Sequence, residues 1–320
     1  MNNKIDISHK TIFFLVGFLG LLWALFIIRD LILLLFVSVI FVSAISPLVE
    51  ILEKTKIPKG LAIAIIYVLV VLVIVGLFTL GLAPITTQTS GLYGKLTVTI
   101  DSLAKGYHLD QSAIRQQIPD ISKNLISVTF DIFNGFITAV LIAVITFYVL
   151  LDKESLEYKF STLFGTHQTK IQKLLKRIEM KLGGWLRGQL LLSVIVGALI
   201  YIGLFLLKVD YALPLALLSG LLEVVPIVGP IISAIPAILI ALLSSPFLAG
   251  TVAILYLLVQ QTESHVIVPQ VMRRAVGLNP LLIIITIAIG SRLLGISGAL
   301  LAVPITVVGQ IIFEDYLKED

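Results

Sequence analysis

The chain has 320 residues, 58% of them hydrophobic and 13% charged, and a mean hydropathy of +1.08. A soluble domain carries about 25% charged residues, so water is not the main solvent of this chain and its excess apolar surface faces lipid. The net charge of +4 sits in short connections and forms no aromatic-interleaved groove, which argues against nucleic acid, and the absence of cysteine excludes thiol catalysis, thiolate metal sites and disulfides.

A spanning helix needs about 20 apolar residues to cross roughly 30 Å of hydrocarbon. Thr11 to Ile28 follows Lys4, His9 and Lys10 in the manner of a signal peptide. It has no small-residue cleavage site, however, and passes through Arg29 and Asp30 into a second apolar run, Leu31 to Val49. The reading is a retained helical hairpin. The third span is Leu61 to Ala83. Across Thr86 to Ser127, Leu92, Leu96, Ile100 and Leu103, and later Ile114, Ile118, Ile121 and Leu125, recur at helical spacing and predict two amphipathic helices. Val128 to Leu151 is the fourth span.

Asp152 to Leu182 is rich in Lys and Arg, including Lys153, Lys170, Lys173, Lys176 and Arg177. Within it Ile171, Leu174, Leu175, Ile178, Leu182, Trp185 and Leu186 make one apolar stripe, the pattern of a helix lying along the lipid interface or packed on neighbouring helices. Trp185 to Leu207, Tyr211 to Leu243, Phe247 to Val268 and Leu281 to Phe313 bring the total to about eight membrane segments. The predicted fold is an all-α integral membrane protein. It divides into residues 1–151 with the stretch 86–127 outside, a linker 152–184, and a core 185–320. Short basic connections stay in the cytoplasm, which places Lys54, Lys56, Lys59, the 152–184 linker and both termini there, in a cytoplasmic (inner) membrane.

The sixth and eighth segments are too long for one crossing and are interrupted. Pro214, Pro226, Gly229, Pro230 and Pro236 break the first; Gly290, Ser291, Arg292, Gly295, Gly298 and Pro304 break the second. Pro214 with Pro280, Gly229 with Gly295 and Pro236 with Pro304 recur at nearly constant offset, a weak internal repeat. Broken helices at membrane depth persist where they are buried in protein or line a wet cavity, and paired ones build substrate sites in secondary transporters. Each segment is either a full crossing or a re-entrant hairpin.

Ionisable residues in apolar surroundings are few: Glu223 before the first break, Glu263 and His265 near the end of the seventh segment, and Arg292 at the second break. Each costs about 2.5 to 3.5 kcal/mol at a helix centre on insertion scales. Glu223 is the candidate to exchange a proton or bind a cation, and Arg292 to hold an anionic or hydroxylated solute. The structural alternative pairs Glu223 or Glu263 with Arg292, or seats Glu263 and His265 at the interface. No nucleophile elbow, HExxH pair or Walker loop occurs, so no enzyme, metal site, cofactor or ATP hydrolysis is expected.

Arg187-Gly188-Gln189 opens an apolar helix, and Glu223-Val-Val-Pro226-Ile-Val-Gly229-Pro230 with Pro236 follows. Then come Gln260-Gln-Thr-Glu263 through Val268-Pro269-Gln270 to Gly277-Leu-Asn-Pro280, and Gly295-Ile-Ser-Gly298 through Pro304. In order and spacing these runs resemble the AI-2E family of membrane transporters; the N-terminal half matches in layout. The resemblance implies an exporter of a small solute such as autoinducer-2, and other members are described as sodium or lithium for proton antiporters. It also implies a homo-oligomer, a pentamer among the options. Against the family pattern, His265 stands where an asparagine is common and Arg292 where the residue is usually apolar or small. Three readings follow: a solute exporter coupled to protons or cations, a Na⁺(Li⁺)/H⁺ antiporter using Glu223 and Glu263, and a non-transporting scaffold that needs no polar groups at the breaks.

Overall fold

The computed structural model describes residues 9–77, 79, 135, 138–225, 228–275, 277 and 280–317. The helices expected over 86–127, Pro226 and most of the start of the fourth span lie outside these. Among the described residues there is no strand. The helices are α1 (His9–Ile27), α2 (Arg29–Lys54), α3 (Lys59–Leu77), α4 (Thr138–Leu151), α5 (Lys153–Thr162), α6 (Gln168–Leu206), α7 (Ala212–Leu222), α8 (Val228–Ser244), α9 (Pro246–Thr262), α10 (Val268–Ala275) and α11 (Pro280–Leu317). Among the described residues five stretches are long and apolar enough to cross a membrane: Arg29–Lys54, Lys59–Leu77, Gly165–Leu206, Pro246–Met272 and Ser297–Leu317. Val68 to Val75 on α3 are exposed all round the helix, as only a helix in lipid can be. The chain is an all-α integral membrane protein.

The axis is α6, whose 39 residues run about 58 Å at 1.5 Å per residue. It packs on α2, α5, α7, α9, α10 and α11. The expected apolar stripe lies on its first half, and the structure turns that stripe toward protein. Leu182, Trp185 and Leu186 are buried with Ile40 and Ala44 of α2 and Ala302, Val303 and Val307 of α11, and Leu174 and Ile178 pack against the same cluster. Of the two placements the sequence allows, packing on neighbouring helices is the one found for these residues. The helix also continues unbroken through position 184 into the fifth span.

The beginning of α6, with α5 beside it, is a basic end, and its charges are paired across helices. Arg177 bonds Glu314, Lys170 lies 3.4 Å from Asp315, and Lys153 bonds Glu179 and donates to Ser46 Oγ at 2.8 Å. The last turns of α11 are thereby pinned beside the first turns of α6.

Both interrupted segments fold back as helical hairpins. In the first, α7 and α8 share one core with the far end of α6. Leu215 and Ala216 of α7, Ala237, Ile240 and Ala241 of α8, and Ile200, Leu204 and Val209 cluster with Ala249 and Val252 at the start of α9. Both open ends of this hairpin therefore lie opposite the basic end, and Glu223, at its tip, is buried. A Cβ on Gly229 would strike the Leu222 carbonyl, so the tip closes only with glycine there.

In the second hairpin the turn is at Gly295, with φ 63° and ψ −139°, a conformation open to glycine and strained for other residues. Gly290 and Gly298 would be about 12 Å apart along a straight helix. Here each occupies the space a Cβ on the other would need, and Ala302 Cβ would lie 3.4 Å from a Cβ on Gly290. The arms Leu281–Gly295 and Ser297–Leu317 are antiparallel, and both open toward the basic end, where Glu314 and Asp315 are pinned. The weak repeat in the sequence is thus two hairpins of opposite entry. Each has a proline in the first turn of its first arm, where a missing N–H costs nothing, a glycine at or beside the break, and a proline, Pro236 or Pro304, within its second arm. At 11 residues and 17 residues, α7 and α8 reach about 16 Å and 26 Å, short of roughly 30 Å of hydrocarbon.

Candidate functional site

The tip of the α7–α8 hairpin carries a buried carboxyl to the middle of the bundle. Glu223, which ends α7, is 1% exposed, and Glu263, at the end of α9, is 5% exposed. Between α9 and α10 the chain makes a π-helical turn, Glu263–Ile267. Pro269 has no N–H to return to the His265 carbonyl, so the regular ladder cannot continue there, and wide turns of this kind often sit at functional sites. The turn sets Glu263 toward Glu223, and the two carboxyl groups are close enough to interact directly. One oxygen of each, Oε2, has no hydrogen-bond partner among the described residues. A buried ionised carboxylate without a partner costs several kcal/mol, so two facing each other need something positive between them, a shared proton or a cation.

Polar groups from four helices lie around the pair. Gln189 Nε2 of α6 donates to the Glu223 carbonyl at 2.6 Å, satisfying an acceptor left free where α7 ends. One helical turn before Glu223, Ser219 Oγ lies 2.9 Å from Tyr256 Oη, itself two turns before Glu263. Ser233 Oγ donates to the Pro230 carbonyl at 3.1 Å. Ser219, Ser233, Tyr256, Gln260 and Glu263 line a cavity with Val196, Ile200, Val259 and Pro230. It has room for about one water molecule.

Arg187, Gly188 and Gln189 act on three sides of α6. Pro47 lies inside α2 and has no N–H for the carbonyl of Ser43, one turn earlier. Arg187 Nη1 supplies the missing donor, at 3.4 Å to Ser43 O and 3.2 Å to Ala44 O. A Cβ on Gly183 would collide with that same Ser43 carbonyl, so glycine lets the two helices meet. Gly188 passes Met272 of α10, with 3.3 Å from Sδ to where a Cβ would be. Gln189 faces the hairpin tip.

The structure thus brings together Glu223, Glu263, Gly229, Pro230 and Gln189. Glu263 is buried beside Glu223, whereas His265 is exposed, its Nδ1 3.0 Å from the Gln261 carbonyl. The expected pairing of a glutamate with Arg292 is not formed: Arg292 is exposed beside the Gly295 turn and makes no ion pair with either acid. Gly298 and Pro304 are buried in the second hairpin, Pro236 is half-buried and Pro269 exposed, and Pro280 is the first residue of α11. Sequence reading passed over Ser219 and Tyr256, met Gln260 only within a family motif, and assigned Ser233 no role. Their signal was spacing: Ser219 precedes Glu223 by four residues and Tyr256 precedes Glu263 by seven, each on its acid's helical face.

A family model for AI-2E family transporters matches residues 12–318. The chain belongs to the AI-2E family. Among its relatives are two Bacillus subtilis proteins, YrrI and YueF, both provisionally named transport proteins. YrrI is 29% identical over 321 residues, covering 94% of this chain and 91% of its own length; YueF is 28% identical over 299 residues, covering 85% and 80%. The AI-2 transport protein TqsA of Escherichia coli K12 is 26% identical over 315 residues, covering 92% of this chain and 88% of its own. The matched residues include both hairpins and the carboxyl pair.

Proposed function

We propose that this AI-2E family member is a secondary transporter of the cytoplasmic membrane that moves a small solute such as autoinducer-2, coupled to protons or cations at the Glu223–Glu263 pair. One observation carries the reading: two buried carboxyl groups face each other beside the tip of a broken helix with no fixed cation among the described residues to neutralise them. A site of this kind gains or loses a positive species as it is exposed to one side or the other. The hairpins enter from opposite ends, which gives each side of the membrane its own gate. Gly229, Pro230, Gly295 and Gly298 shape the two tips, and Arg292, exposed at the second, is placed to meet an anionic or hydroxylated solute. Residues 1–151 form the frame, 152–184 the basic linker and 185–320 the transport core, with both termini cytoplasmic by the positive-inside rule and the protein working as a homo-oligomer.

The test is flux in proteoliposomes loaded with autoinducer-2, under an imposed pH gradient, with Glu223→Gln alongside. Efflux that depends on the gradient and is lost in the variant is the expected result; efflux and pH dependence unchanged in the variant would remove Glu223 from the coupling role. A second reading, Na⁺(Li⁺)/H⁺ antiport at the same pair, is favoured by the size of the cavity, which suits a dehydrated cation and admits an organic solute only after a hairpin moves. Proton movement on addition of Na⁺ or Li⁺, with no autoinducer-2 efflux, would select it.

A further inference from the structure

We propose that the Tyr256–Ser219 hydrogen bond is the bar that closes the route from the end opposite the basic end to the Glu223–Glu263 pair. This rests on the transport reading of that pair. Ser219 Oγ donates to the Leu215 carbonyl at 2.9 Å, which uses its single proton. Tyr256 is therefore the donor in the 2.9 Å contact between the two hydroxyls. Tyr256 is 7% exposed and Ser219 1% exposed, so the bond lies inside the bundle, across the seam between the first arm of the hairpin and α9.

Its position gives it the role. From Glu223 the first arm climbs away from the basic end, and Ser219 is one turn up; from Glu263 α9 climbs the same way, and Tyr256 is two turns up. The bond thus caps the cavity on that side. Beyond it the interior is aliphatic: Leu204, Leu215, Ala237, Ile240, Ala249 and Val252. On its other flank α7 is held to α6 by small residues, since a Cβ on Gly220 would lie 2.7 Å from the Ser193 carbonyl. A solute larger than water that enters along this seam passes between α7 and α9, and the hydroxyl pair is a polar link between those two helices at that level. A tyrosine ring packed among aliphatic side chains needs no hydroxyl for its packing. The hydroxyl adds one directional bond that must break for the hairpin to open and re-form for it to shut.

The absence of native cysteine allows a direct reading. Ser233, which lines the cavity and is 0% exposed, is replaced by cysteine in the full chain, and its reaction with a small charged methanethiosulfonate added to spheroplasts is timed. Tyr256→Phe in that background keeps the ring and removes the donor; Ser219→Ala removes the acceptor from the other side. Either change is expected to raise the labelling rate about three- to ten-fold, the population shift that one net hydrogen bond gives, with unchanged monodispersity in detergent. Equal rates in all three proteins, including no labelling in any, would overturn the proposal. Labelling is blind to cargo, so accelerated labelling in Tyr256→Phe alongside normal flux in Glu223→Gln would remove the coupling role of the pair and leave the bar standing.

Discussion

The contact between Arg187 and α2 makes a quantitative prediction about an acceptor that proline leaves bare. In hydrocarbon the Ser43 carbonyl has no water to turn to, and Arg187 reaches it and the Ala44 carbonyl at 3.4 Å and 3.2 Å. A bond from a charged donor is worth about 1.5 to 3 kcal/mol net, and these lengths put the pair at the lower end. Arg187→Met, which keeps the stem and removes the donors, is therefore expected to cost about 1.5 kcal/mol. Pro47→Ala restores a backbone N–H to Ser43, so in that background the same change should cost about 0.5 kcal/mol, a coupling of about 1 kcal/mol. Unfolding in mixed micelles, followed by the fluorescence of Trp185 in the adjoining core, measures both costs. Equal costs in the two backgrounds would show that Arg187 does not serve the carbonyl that Pro47 leaves free.

Gly298→Ala drives a methyl into the Gly290 backbone, and the second hairpin should lose about 2 kcal/mol or more, read as a lower melting temperature in detergent with flux reduced in parallel. Gln189→Leu leaves the Glu223 carbonyl without its donor; a cost of about 1 to 3 kcal/mol should appear in the same melting assay, together with a shift in the pH profile of transport. At the basic end, Glu314→Gln breaks the ion pair with Arg177, whose side chains are 35% and 38% exposed. Its effect should stay below about 1 kcal/mol and fall further in 1 M salt. Glu157 on α5 has its carboxyl held above the usual range by burial, an effect the Lys153 charge opposes. A raised folded-state value favours the folded protein at low pH, and that gain is lost as pH rises through it. Glu157→Gln should therefore flatten the pH dependence of melting between mildly acid and neutral pH.

The hydrophobic runs were enough to read the class, the spans and the fact that two segments break, because a 33-residue apolar stretch studded with proline and glycine has no single-helix solution. Hairpin entry from opposite ends was not legible, since it depends on contacts between residues far apart in sequence: Gly290 against Gly298, Leu215 with Ile240, Arg177 with Glu314. Glu223 stood out as an acid beside a break. Glu263 looked interfacial because Pro269, Arg273 and Arg274 follow it closely, and sequence periodicity does not announce the π turn that swings it inward. Pairing of Glu223 or Glu263 with Arg292 was one alternative; the Gly295 turn instead leaves Arg292 exposed at a tip. The amphipathic stripe on α6 was plain, but an apolar stripe fits lipid and protein equally well, and what covered it came from α2 and α11.

The shortness of the hairpin arms bears on how the protein is made. As each segment emerges from the ribosome, the insertion machinery releases into lipid those that present about 20 apolar residues. The 11 residues of α7 fall well below that, and the first arm of α11 falls below it too. Neither is held in the bilayer by its own hydrophobicity, so each can settle only against walls already in place: α6 and α9 for the first, α2 and α6 for the second. Biogenesis then runs in two stages, long helices first and hairpins after, and the carboxyl pair is assembled last, once the frame that shields it from lipid already exists.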